Sequence, residues 1–236
     1  MIIGKGIFQL QEFEDAESFI RQEKQIILKF NPYYLQCVIN AHELKKIHEM
    51  EDAGFRFVEI RYKKQLDIYA FHKISELAFF PYIIELIQDK ETFAEALELV
   101  KKGQSDDRFS LDPLINSKLS KKRLTSYIRK SYNNYPVEFI WSLFNKNTNE
   151  ILAIKSGEIL QNDEIFFYHT AIKEGLDIEK YTYMIDSLII SNYIKRGFNI
   201  FYSVTSGFNR MEMDLSISSL KYKLVSASVI LRKIYK

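Results

Sequence analysis

The chain has 236 residues, 47% of them hydrophobic and 27% charged, with eight glycines and four prolines. Ordinary glycine usage is roughly 7%, about twice what is present, so collagen-like, low-complexity and linker-rich chains are excluded and a glycine-built phosphate loop is scarce by supply. Thirty-three basic against thirty-one acidic residues leave a net charge of +2, too balanced for a surface that binds nucleic acid.

The first residues have no basic flank followed by a long apolar segment, so no signal peptide is expected. Residues 6–10 read as a strand, 14–23 as an amphipathic helix, and 26–30 and 35–39 as further strands. Cys37, the only cysteine, permits no intrachain disulfide and points to a reducing, cytoplasmic compartment. A helix over 42–53 is predicted to stop at Gly54, followed by a strand that turns Phe55, Phe57 and Ile60 one way and leaves Arg56 and Arg61 polar. Residues 1–66 thus form a small N-terminal α/β domain, 67–80 a packed connecting segment, and 81–236 a second domain. The apolar stretch 77–87 is broken by Pro81 and Glu85 and is shorter than the ~20 residues that cross a membrane.

In the second domain the predicted order is strand 83–87, helix 90–102 with Asp89 as N-cap, a polar loop, and helix 118–132. Its densest basic run, Lys121, Lys122 and Arg123, reads as a solvated helix face. A three-strand meander follows over 137–144, 151–160 and 164–172. Then come helix 179–196 stopped by Gly197, strand 200–205, helix 210–220 and strand 223–235. The fold class is α/β, an α+β mixed sheet with one splayed parallel step in its middle.

Few residues carry chemistry on their own. His42 and His48 are six apart, off the three-, four- or seven-residue spacing of one helix face, so no metal site is expected. There is no Gly-x-Ser-x-Gly elbow and no Walker sequence, and Gly4-Lys5-Gly6 has Gln9 where a dinucleotide fingerprint needs its third glycine. His169 is different. It ends the third meander strand, just before the turn into the longest helix, and ligands enter open α/β sheets at such strand ends. An imidazole there can accept a proton near neutral pH, although a strand histidine bonded to a neighbour has the same sequence signature.

The element order from residue 81 onward, with the strings DDRFSLDP (106–113), FFYHTAIKEGLDIEKYTYMIDSLIISNYIKRG (166–197) and VTSGFNRMEMDLSISSLKYKLVSASVILRK (204–233), resembles the GNAT family of acyl-CoA-dependent N-acyltransferases. The partial N-terminal domain and the Asp107-Arg108-Phe109 loop are most similar to the dTDP-fucosamine acetyltransferase subgroup. The resemblance implies a GNAT fold with a partial GNAT-like N-terminal domain. It also implies transfer of an acetyl or short acyl group from acyl-CoA to a dTDP-linked amino-dideoxysugar for surface polysaccharides, by direct attack and without a metal. It leaves open a homodimer, another small amine or a peptide N-terminus as acceptor, and a non-catalytic GNAT-like binding module. His169 would be the base. Ala171 and Ile172 would lie at a strand bulge whose amides polarise the thioester, and Lys173, Lys180, Tyr181, Thr182 and Asn209 would hold the cosubstrate. Asp107, Arg108, Phe109, Trp141 and Tyr168 would line the acceptor side.

Two positions depart from the family pattern. The glycine-rich pyrophosphate loop is replaced by Asp177-Ile-Glu-Lys-Tyr-Thr-Tyr183, without glycine. The tyrosine that acts as acid toward the thiolate falls on Ser216 or Ile217.

Overall fold

The computed structural model describes residues 2–4, 7–10, 16–72, 76–102, 115, 117–160 and 163–235. They form two compact units. The first comprises 1–62, 206–208 and 226–236, and the second comprises 63–205 and 209–225. In the second unit the Asp67 amide donates to the Lys221 carbonyl at 3.1 Å.

In the first unit, β1 (Ile2–Gly4) pairs antiparallel with β2 (Ile7–Leu10), β2 parallel with β3 (Tyr34–Asn40), and β3 antiparallel with the end of β10 (Tyr222–Ile234). The helices are α1 (Ala16–Phe30) and α2 (Leu44–Asp52). Residues 26–30, expected as a strand, continue α1. Phe19, Glu23, Ile26 and Phe30 recur at three- and four-residue spacing, and that helical stripe prevails over the local Ile-Ile-Leu run, leaving Leu28 87% exposed. Phe19 meets Phe55 edge-on at 4.9 Å within a core that includes Leu35, Cys37, Met50 and Leu231. Burial pushes the Cys37 thiol up to about 12, so it packs as a small apolar group. Gly54 ends α2 at φ +90, the left-handed conformation a glycine adopts without a Cβ penalty.

Strand β4 (Arg56–Leu66) departs from its expected alternation. Phe57 is 48% exposed, whereas Glu59, Lys64 and Leu66 are buried. Alternation read from hydropathy fails because polar side chains take inward positions on this strand.

The second unit is built on the sheet order β5 (Tyr82–Leu86), β6 (Glu138–Asn145), β7 (Glu150–Ile159), β8 (Glu164–Ile172), β9 (Ile200–Ser206). All neighbours are antiparallel except β8 and β9, which run parallel. The residue period of two sorts the two faces. Phe139, Trp141 and Leu143 pack toward α5 (Ile178–Lys195), while Ile140 and Ile154 pack toward α3 (Lys90–Lys102) and α4 (Ser117–Asn133). Asp89 caps α3 by accepting from the Thr92 amide at 2.8 Å. Beyond α5, Gly197 adopts φ +96, and its amide and that of Phe198 return to the carbonyls of Ile194 and Tyr193. The helix expected over 210–220 is shorter: α6 (Arg210–Asp214) passes into a π-turn at Leu215–Ser219, closed by the Leu220 amide on the Leu215 carbonyl. Among the described residues no helix is long and apolar enough to cross a membrane.

Candidate active site at the fork of two parallel strands

Strands β8 and β9 pair from Glu164 opposite Ile200 to Phe167 opposite Ser203. There the register ends, although β8 continues to Ile172 and β9 to Ser206. The fork begins where β8 bulges. On its β7 side Phe167 faces Gly157 and Thr170 faces Lys155, so Tyr168 and His169 together oppose Ser156 alone. The irregularity therefore lies at Tyr168–His169, before Ala171 and Ile172, which pair regularly with Ile154 and Ala153. Gly157 permits the close approach, since a Cβ there would lie 2.6 Å from the Phe166 carbonyl oxygen and 2.6 Å from the Phe139 ring.

The extra residue changes which way the strand faces. Before the bulge Ile165 and Phe167 point to the α5 core; after it Ile172 does, and Ala171 packs toward α3 and α4. Strict alternation would have sent His169 into the α5 core with Ile165 and Phe167. The bulge turns it to α4, where its ring lies 5.8 Å from that of Tyr127. The Arg123 guanidinium stands 5.2 Å from the other ring centroid of this trio, that of Tyr127. Arg123 is only 9% exposed, so the basic run expected to be solvated divides: Lys121 and Lys122 face water and Arg123 turns inward. Half-buried Tyr168 pairs with Phe166, ring centroids 5.4 Å apart. Burial, and then its bond to Glu158, push its phenol above the ordinary tyrosine value, so it acts as a donor and not as a base.

The α5 side of the fork holds a buried polar cluster. Lys155 of β7 donates to Thr170 Oγ1 at 2.8 Å and to Asp186 Oδ2 of α5 at 3.1 Å. Asp186 Oδ1 is 2.9 Å from the same ammonium without a directed hydrogen bond. Lys64 is 0% exposed and donates to Thr205 Oγ1 and, at 2.7 Å, to Ser216 Oγ. Glu212 completes the set, 3.6 Å from Lys64 and accepting from Thr205 at 2.7 Å. Burial lowers the Lys64 ammonium pKa against the pull of Glu212, and raises the Asp186 carboxyl pKa against the pull of Lys155. Asn209, expected at the cosubstrate, caps α6 through Glu212: its Oδ1 accepts from the Glu212 amide at 3.1 Å and its Nδ2 donates to Glu212 Oε2 at 3.1 Å. Sequence reasoning singled out Ser216, as the position of the acid toward the thiolate, but not Lys64, Lys155 or Asp186, whose only signal is a charged residue inside an otherwise apolar strand or helix face.

The remaining expected residues are dispersed. Trp141 is buried and donates its indole N–H to the Tyr193 hydroxyl at 3.2 Å. Lys173 is paired with Glu150 at 2.5 Å. Tyr181 and Thr182 are buried in the first turns of α5, Tyr181 edge-on to Tyr82, and exposed Lys180 lies over the Tyr181 ring. Asp107, Arg108 and Phe109 lie outside the described residues. Among the described residues no cluster of His, Cys, Asp and Glu could hold a metal ion.

Solved structures carry the same architecture. A GCN5-related N-acetyltransferase from Sphaerobacter thermophilus superposes with a TM-score of 0.66 at 11% identity, covering 93% of this chain and 67% of its own. A conserved protein of unknown function from Staphylococcus epidermidis gives 0.65 at 14%, covering 97% and 84%. A GCN5-related N-acetyltransferase from Kribbella flavida gives 0.63 at 7%, covering 94% and 77%. The chain has the GNAT fold. No family model matches its sequence, and no curated relative does. At the fork β8 and β9 part beyond the bulge, with His169 on one face of the sheet and the Lys64–Lys155 cluster on the other.

The fit of coenzyme A to this site differs between its two ends. An extended pantetheine arm suits the fork, where β8 and β9 present backbone groups unpaired with each other. The nucleotide diphosphate does not suit the start of α5, where the Asp177 carboxylate accepts from the Lys180 amide at 3.0 Å and places a negative charge at the helix end.

Proposed function

We propose that this protein is an N-acyltransferase that takes its acyl group from a thioester. The observation that carries the reading is the β8–β9 fork opening at a bulge that aims His169 toward Tyr127 and Arg123. The amine nitrogen of the acceptor attacks the thioester carbonyl, forming the C–N bond. The carbonyl oxygen gathers charge beside the bulge amides, and the C–S bond then breaks. His169 takes the proton that the attacking amine loses, directly or through one water. The departing thiolate carries away the electron pair of the broken bond.

For the acceptor, the similarity of residues 106–113 to the amino-sugar subgroup supports a dTDP-linked amino-dideoxysugar, and buried Arg123 beside Tyr127 supplies a guanidinium and an aromatic face for a phosphorylated, ring-bearing molecule. Acetyl thioester incubated with a dTDP-amino-dideoxyhexose, a peptide with a free N-terminus and a simple diamine, with thiol release followed, tests both levels. Turnover on the sugar alone supports the finer reading, turnover on the others redirects the acceptor, and no thiol release with any of them removes acyl transfer. A second reading, a GNAT-shaped module without catalysis, is favoured by one observation, the Asp177 carboxylate at the helix end where the donor's diphosphate would sit.

A further inference from the structure

We infer that the donor is recognised through its acyl group and pantetheine arm alone, and that the nucleotide diphosphate of a coenzyme A ester contributes nothing to its binding; this inference rests on the acyl-transfer reading above. A helix start attracts phosphate because its first amides lack acceptors and its dipole is positive there. This chain already uses one of those amides and supplies its own negative charge to the dipole. In the turn from Lys173 to Tyr181, the Leu176 amide donates to the Lys173 carbonyl, the Lys180 amide to the Asp177 carboxylate, and the Tyr181 amide to the Asp177 carbonyl. The Asp177 side chain places a negative charge at the helix start, where it complements the dipole as an incoming phosphate would.

The rest of the turn strengthens the mismatch. Residues 173–180 carry three carboxylates, Glu174, Asp177 and Glu179, against two lysines. Of these, Lys173 is held by Glu150 at 2.5 Å, leaving Lys180 as the only other cation of the turn. Gly175, at φ +83 with nothing within 4 Å of its Cβ position, is the one glycine, and it lies before the cap and not within the first turn of α5. A diphosphate placed on this exposed turn meets net like charge at a few ångströms, a repulsion that salt screens. The fork makes no such objection to an uncharged arm, because the strand edges offer it backbone hydrogen bonds irrespective of charge.

The experiment compares pantetheine with coenzyme A by isothermal titration calorimetry, using the thiols so that no acceptor is needed. The expected result is dissociation constants within about threefold of each other, with little salt dependence, since no phosphate contact is present to be screened. Coenzyme A binding about tenfold or more tighter than pantetheine overturns the inference and leaves acyl transfer standing. Binding of neither thiol at millimolar concentration removes the acyl-thioester reading itself, and the inference with it. Asp177→Asn supplies the second arm, because asparagine caps a helix about as well as aspartate, and the fold is retained. Removing that charge should shift the preference toward coenzyme A by about threefold to tenfold with pantetheine affinity unchanged; an unchanged ratio counts against the role given to Asp177.

Discussion

Lys155 and Asp186 form an ion pair inside the second unit, Nζ to Oδ1 at 2.9 Å, with side chains only 6% and 10% exposed. Two charges withdrawn from water in this way add little net stability together, but each becomes a liability if the other is removed. Asp186→Ala should therefore destabilise the protein by about 3–5 kcal/mol, and Lys155→Met combined with Asp186→Leu by much less. Urea titrations of the two variants check this. A loss in the double variant as large as that of Asp186→Ala, or larger, would overturn the view that the stranded Lys155 charge carries the cost.

Glu138 makes a pH-dependent contribution. Burial works to raise its pKa, but the bonds from Lys130, Ser131 and Asn134 prevail and hold it below the ordinary carboxylate range. A depressed folded value means stability that is complete above the unfolded value, about 4.3, and lost as pH falls through the folded one. Glu138→Gln should flatten the acid side of a plot of unfolding free energy against pH while leaving its slope near neutrality unchanged.

Removing the proposed base should slow the reaction without unfolding the chain. His169→Ala is expected to lower kcat at neutral pH by about 10²–10⁴-fold, the usual range for a positioned acid or base. His169 is only partly buried, and its far-UV circular dichroism and melting midpoint should match those of the parent protein. Unaltered turnover would take His169 out of the mechanism.

Gly157→Ala tests the bulge itself. The added methyl would meet the Phe166 carbonyl oxygen at 2.6 Å, and backbone cannot swing aside as a side-chain tip can. Overpacking of this kind costs about 1–3 kcal/mol. Because the same shift moves the β8 register that orients His169, activity should fall further than stability alone explains.

Much of the second unit was legible in the sequence. Helix 90–102, its Asp89 cap, the meander and the parallel step each carry local signals, namely a capping carboxylate, alternating apolar residues and turn clusters. The bulge was expected on β8 but misplaced at Ala171–Ile172, because an inserted residue is set by cross-strand register, which one strand's composition does not contain. Residues 26–30 were misread because a short apolar run fits strand and helix equally until the spacing to Phe19 is counted. Lys64, Lys155 and Asp186 escaped notice for another reason. A charged residue on an element looks solvated until its partners, distant in sequence, are brought against it.

Strand β10 pairs Ser228 through Ile234 with Asn40 through Tyr34, and Val229 and Leu231 enter the same core as Leu35 and Cys37. During synthesis on the ribosome, β3 emerges long before its partner β10. The first unit therefore leaves one flank of β3 bare until β10 is made, by which time strands β5 to β9, which form the fork, are already available to pack. Of the two units, the one begun first along the chain is the one completed last.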